Sequence, residues 1–144
     1  MSIVHGSMGL IYFVHEWQPK FNESALLSDA AMLSEVTAIN KQIAALAPVL
    51  NSPTVENLVA ATSSNRQSPI AVMAKRYAGA VYIFAVCMRG VETSATFAVR
   101  GSKGEETVKV LGEDRKIGAK DGTFKDDFKA WDVHLYRIEA ENRG

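Results

Sequence analysis

Three residues with chemical potential sit together at the end of an apolar run: His15, Glu16 and Trp17. A flat indole stacks on the apolar face of a pyranose ring, and a carboxylate and an imidazole beside it complete a candidate carbohydrate contact. The alternative is that Trp17 packs against a helix or a sheet edge. Other chemistries have less behind them. Nucleophilic catalysis needs a base beside the nucleophile and a third group to orient it. The sequence has no Gly-x-Ser-x-Gly elbow, and its single cysteine, Cys87, lies mid-strand among apolar residues as a core filler.

The three histidines, at 5, 15 and 134, form no His or Cys pair with metal-ligand spacing. His134 alternates with Val133 and Leu135, as a strand histidine with a backbone or water partner does. Carboxylate pairs occur at Glu105–Glu106, Glu113–Asp114 and Asp126–Asp127. Glycosidic hydrolysis requires two carboxyls facing each other across roughly 5–10 Å. Neighbours in a hairpin diverge and stay solvated, so no catalytic acid or nucleophile is assigned. Gly101-Ser-Lys-Gly104 lacks the Gly-x4-Gly-Lys-Ser/Thr spacing of a phosphate loop and reads as a β-turn. No motif calls for a metal or a cofactor.

These residues must be positioned by surrounding elements. Gly9 to Trp17 contain five successive apolar residues, Leu10 to Val14, which read as a strand buried on both faces. Residues 1–8 show no period. A helix is predicted over 25–47, with Asn22 or Ser24 as its cap and Pro48 at its end. Met32, Val36, Ile39, Ile43 and Leu46 make one apolar stripe along it. From Thr54 the period changes to two. Strands are predicted at 55–62, 70–76, 80–89, 93–99, 106–111, 115–117, 123–128 and 133–138. Ser63-Ser-Asn65, Ala78-Gly79, Arg89-Gly90 and Asp121-Gly122 supply turns. Residues 80–89 are apolar on both faces, which marks a central strand.

The expected fold is therefore mainly β, an antiparallel β-sandwich of seven to eight strands preceded by one strand and one long α-helix. Two regions follow, 1–53 and 54–144. The 144 residues carry 16 basic and 16 acidic side chains, so no net charge draws nucleic acid or an anionic membrane. Residues 1–50 hold two basic and four acidic residues, whereas 100–144 hold ten of each, the mixture of exposed strands and hairpins. No run approaches a membrane span, and the start lacks the regions of a signal peptide. The expectation is a soluble chain of unassigned compartment.

Taken in order, these features resemble the C-terminal end of a (β/α)8-barrel glycoside hydrolase. Gly9-Leu-Ile-Tyr-Phe-Val-His-Glu-Trp17 resembles a final barrel strand, and the helix ending Asn40-Lys-Gln-Ile-Ala-Ala-Leu-Ala-Pro-Val-Leu-Asn51 a last barrel helix. A sandwich follows, with Tyr82-Ile-Phe-Ala-Val86, Thr93-Ser-Ala-Thr-Phe97, Val108-Lys-Val-Leu-Gly-Glu113, Gly122-Thr-Phe-Lys-Asp-Asp-Phe128 and Trp131-Asp-Val-His-Leu-Tyr-Arg-Ile138. The resemblance implies that Trp17 matches the aromatic lining a sugar subsite after the last barrel strand. The strands that bear the family's catalytic carboxylates have no counterpart here, so the implied chain is a truncated or separately encoded module without hydrolase activity.

Leu10–Val14 and the helix stripe would then lie bare, and an uncovered apolar face and strand edge are unstable in water. Self-association through residues 9–47 is expected, as a homodimer. Two further readings come from other classes. One is a stand-alone carbohydrate-binding sandwich using Trp17, Trp131 or Tyr82 as sugar platforms. The other is a small enzyme with Glu16, His15 or His134 meeting across a dimer interface.

Overall fold

The structure, a computed structural model, describes residues 1–139. Alternation of apolar and polar residues in the second part of the chain yields eight strands: β1 (Val59–Ser63), β2 (Ile70–Tyr77), β3 (Ala80–Cys87), β4 (Thr93–Val99), β5 (Glu105–Val110), β6 (Arg115–Lys120), β7 (Thr123–Phe128) and β8 (Val133–Glu139). The eight strands expected from Thr54 onward are all present. β1 starts later than predicted because Asn57 adopts a left-handed conformation, leaving Val55 only a single backbone bond to Ala74.

All eight join one antiparallel sheet in the order β1-β4-β7-β6-β5-β8-β3-β2, and its two edge strands approach each other so that the sheet nearly closes. The arrangement 4-7-6-5 is a Greek key, in which the first strand of the set lies beside the last. β3, apolar on both faces, is a central strand between β2 and β8, as its sequence predicts.

Turn chemistry fixes the hairpins. Asp121 and Gly122 both take positive φ, 50° and 73°, the twist that suits a two-residue hairpin loop. A Cβ on Gly122 would collide with the carbonyl oxygen of Val99, so only glycine fits there. Inside the sheet, Phe97 stacks on Phe124 at 4.7 Å between ring centroids, and Tyr136 meets both edge-on at 5.2 Å. Ile83, Val108, Phe128 and Ile138 complete the packing around them.

The first part of the chain departs from its pattern. The predicted helix divides into α1 (Ala25–Ser28) and α2 (Ala30–Leu50), because Asp29 takes an extended conformation and caps α2 by accepting from the Met32 N–H. Pro48 does not stop α2, which runs on to Leu50. Proline removes one hydrogen bond in the last turn, but its φ remains helical. Only the end of α2 reaches the sheet, where Val49 packs on the outer face of β2, β3 and β8 against Met73, Phe84 and Leu135. Met32 and Ile39 of the stripe stay exposed.

The strand expected at 9–17 does not form. Residues 9–15 are irregular, and only Glu16 bridges, to Asn22. A strand needs a neighbour to take its backbone N–H and C=O groups, and the sheet edges here turn toward each other instead. What holds the segment is a bond from the Tyr12 hydroxyl to Asn40 Oδ1 on α2, 2.9 Å. No helix of the described residues is long and apolar enough to cross a membrane.

Candidate functional site

His15, Glu16 and Trp17 lie in a small loop closed by the Glu16–Asn22 bridge, where backbone bonds run both ways between the two residues. Within the loop, Phe21 stacks under His15 at 5.9 Å and lies 4.9 Å from Trp17, with Phe13 edge-on to His15 at 5.1 Å. The four rings steady one another, and Trp17 remains 67% exposed. The loop therefore presents an indole face to solvent beside an imidazole. Trp131 and Tyr82 are placed elsewhere. Trp131 packs over Gly90, 3.1 Å from where a Cβ would sit, and the Arg137 guanidinium covers the Tyr82 ring at 5.7 Å. His134 belongs to a separate cluster from His15.

That second cluster is brought together by β6, β7 and β8 and by the turn that precedes β6. Arg115 on β6 holds both oxygens of Asp126 on β7 at 2.8 Å and one oxygen of Glu113 at 2.7 Å. The Tyr136 hydroxyl, rising from the aromatic core on β8, donates to Asp126 at 2.7 Å. His134 Nδ1 donates to the other oxygen of Glu113, and Nε2 faces the Asp127 carbonyl at 3.2 Å and the Asp132 carboxylate at 3.4 Å. The backbone partner expected for a strand histidine is present, joined by two acids.

The carboxylate pairs behave as expected in one half only. Neighbours diverge, since Asp114 is exposed and Asp127 turns to the Ser94 hydroxyl. Glu113 and Asp126 instead turn inward and share one guanidinium. Burial by itself would raise Asp126, but the bonds from Arg115 and Tyr136 outweigh it and leave its carboxyl below the ordinary carboxylate range. The bond to Asp126, working against burial, holds Arg115 above its usual value. Burial and then the same carboxylate push the Tyr136 phenol upward.

A general acid needs a raised pKa, and the shift here runs the other way. Asp126 is thus suited to clasping β6, β7 and β8 through Arg115 and Tyr136 rather than to donating a proton. Above the cluster opens a cleft of about 860 Å³ between Ser64, Ser94, Glu113, Asp127, Asp132 and His134. Among the described residues, no three His, Cys, Asp or Glu side chains converge as a metal site.

No family model matches the chain, and no curated protein does. Among solved structures, the fold is similar to part of an alpha-amylase from Anoxybacillus, presented as giving insight into a new glycosyl hydrolase subclass. The TM-score is 0.54 at 14% identity, over 79% of this chain and 24% of the amylase. A GH30 endoxylanase from Clostridium papyrosolvens C71 aligns with a TM-score of 0.41 at 17% identity, over 54% of this chain and 21% of that one. The chain thus spans about a quarter of the amylase's length, and what the two share is a fold.

Proposed function

We propose that this chain is a non-catalytic β module of a glycoside hydrolase, whose N-terminal segment and helix form the seam to a barrel. Taken alone, the module covers that seam by pairing with a second copy. The observation that carries this is the apolar surface in residues 8–39. Ile11 is 98% exposed, Met8 94% and Phe13 73%, with Met32 and Ile39 on α2 also open to solvent.

The molecule exposes 9592 Å² over the whole chain, against about 7,300 Å² for a compact monomer of 15.7 kDa. A stable interface of standard size takes about 800 Å² from each partner. The amylase-like fold over a quarter of that enzyme's length supports the hydrolase context. The clasped Asp126 supports the non-catalytic role, since its lowered carboxyl is ill suited to act as an acid.

Multi-angle light scattering at several concentrations tests the pairing. A dimer at micromolar concentration is expected, and a monomer throughout that range overturns it. A second reading, carbohydrate binding, is favoured by the exposed indole of Trp17 supported by Phe21. Electrophoresis through gels containing soluble starch or xylan would show retardation that Trp17→Ala removes. Equal mobility with and without polysaccharide rejects it.

A further inference from the structure

Among the described residues, Lys75 is the one charged side chain lining a cavity of about 310 Å³ between α2, β2 and the irregular residues 6–12. It projects from the outer face of β2, is only 6% exposed, and donates to the carbonyl of Ser52 at 2.7 Å. No carboxylate of the described residues lies within 4.0 Å of its ammonium. That leaves a buried cation with one neutral acceptor for three N–H donors. Ser52 follows the C-terminus of α2, where the helix dipole offers about half a negative charge, so the ammonium is compensated in part only. Buried charges are ordinarily paired in full, because desolvating an ion is costly.

The rest of the lining indicates what would complete the pairing. Asn40 accepts the Tyr12 hydroxyl on Oδ1, which leaves its amide N–H groups as donors, and the Thr54 hydroxyl lies in the same wall. Ile43, Leu50 and Met73 make the remaining surface apolar, and no acidic residue takes part. One end is cationic and rich in donors, and the rest is greasy. The volume falls at the small end of ligand cavities, which span roughly 300–1,000 Å³.

We propose that this cavity binds a short-chain aliphatic monocarboxylate, with the carboxylate on Lys75 and the alkyl chain against Ile43, Leu50 and Met73. The site shares Met8, Leu10 and Tyr12 with the proposed seam, but its ligand is a small molecule and its test reads binding rather than assembly.

Isothermal titration of the full chain with acetate, butyrate, hexanoate and hexylammonium tests it. Affinity should rise from acetate to hexanoate, and hexylammonium should not bind. Lys75→Met, which keeps the stem and removes the charge, should weaken hexanoate by about ten-fold or more, as loss of a buried charge contact does. Should that variant fail to fold, the wild-type chain still decides the matter. Hexanoate must then shift the Lys75 side-chain NMR signals saturably and leave those of the exposed lysines in place. Absence of saturable binding at millimolar hexanoate, equal binding to Lys75→Met, or equal binding of hexylammonium overturns the site.

Discussion

The N-terminal third is richer in apolar residues than the β body, 28 of residues 1–50 against 40 of residues 51–144, yet the two use them in opposite ways. In the body, Phe97, Phe124, Phe128 and Tyr136 are buried and close on one another. Before it, Ile11, Phe13, Trp17, Leu27 and Met32 lie open. Hydrophobicity alone does not distinguish these sets. What differs is the supply of backbone partners, because every body strand has a neighbour in register, whereas residues 9–15 have none. Burial in this molecule follows pairing, and an apolar run without a partner strand remains on the surface.

The contrast predicts a steep gradient of mutational cost. Phe97→Ala removes the ring at the centre of the aromatic stack and should destabilise the body by about 3–5 kcal/mol, read from urea unfolding. A loss below about 1 kcal/mol would mean that the body is loosely packed and the comparison is false. Gly122→Ala should cost about 2 kcal/mol, since it combines a positive φ with collision against the Val99 carbonyl. If its unfolding midpoint matches the wild type, the hairpin is less constrained than its geometry implies.

These positions also divide what is legible in the sequence from what is not. Turn and strand signals are local, so Asp121-Gly122, Ala78-Gly79 and the alternation through 93–128 locate the body strands, although β6 runs on to Lys120 where 115–117 is expected. Leu10–Val14 carries an equally strong local signal, yet forms no strand, because a strand is a property of two segments and the second is missing here. The Arg115 cluster fails to appear for a related reason. Glu113, Arg115, Asp126, His134 and Tyr136 come from four places in the chain, and each alone looks like an ordinary hairpin charge or strand residue. A signal did exist in the period of two, which sends Asp126 to the same face as Phe124 and Phe128. The inward register of Asp126 can be read from that pattern, whereas Glu113 lies in a turn where no period applies.

The cluster sharpens the comparison at the next level of cost. Asp126→Asn removes a charge-assisted bidentate pair and should cost about 1.5–2 kcal/mol, at the low end for bonds to charged groups because Arg115 is partly exposed and screened. Its pH dependence follows from the depressed carboxyl. The folded state binds the Asp126 proton less readily than the unfolded chain does. Its stabilisation is complete above the unfolded value near 3.8 and fades as pH falls through the lower folded value. The variant should therefore show a flatter acid limb in a plot of stability against pH. An acid limb unchanged from the wild type would show that other carboxylates govern acid unfolding. Tyr136 acts in the opposite sense, since its raised phenol contributes below about pH 10 and the contribution declines as pH rises beyond that.

Costs should be smaller again in the N-terminal third. Asp29→Ala deletes the cap on α2, worth about 1 kcal/mol in a helix that matters to the fold. Because the first turns of α2 touch little, the loss should appear as lower helicity by circular dichroism, with the body's unfolding midpoint hardly moved. A matching shift in that midpoint would join the two regions into one cooperative unit.

The smallest effect on folding should accompany the clearest effect on assembly. Ile11→Ser combined with Ile39→Ser replaces two apolar side chains that are 98% and 48% exposed. Surface changes of this kind fall within about 0.5 kcal/mol of neutral, and exchanging exposed hydrocarbon for hydroxyl favours the monomer in water. At concentrations where the wild-type chain is dimeric, the double variant should be monomeric, with an unfolding midpoint that no longer depends on concentration. A double variant that loses stability as a monomer would place these residues in the fold itself. One that still dimerises with wild-type affinity would move the interface off the 9–47 face, leaving the bare apolar surface for the barrel alone.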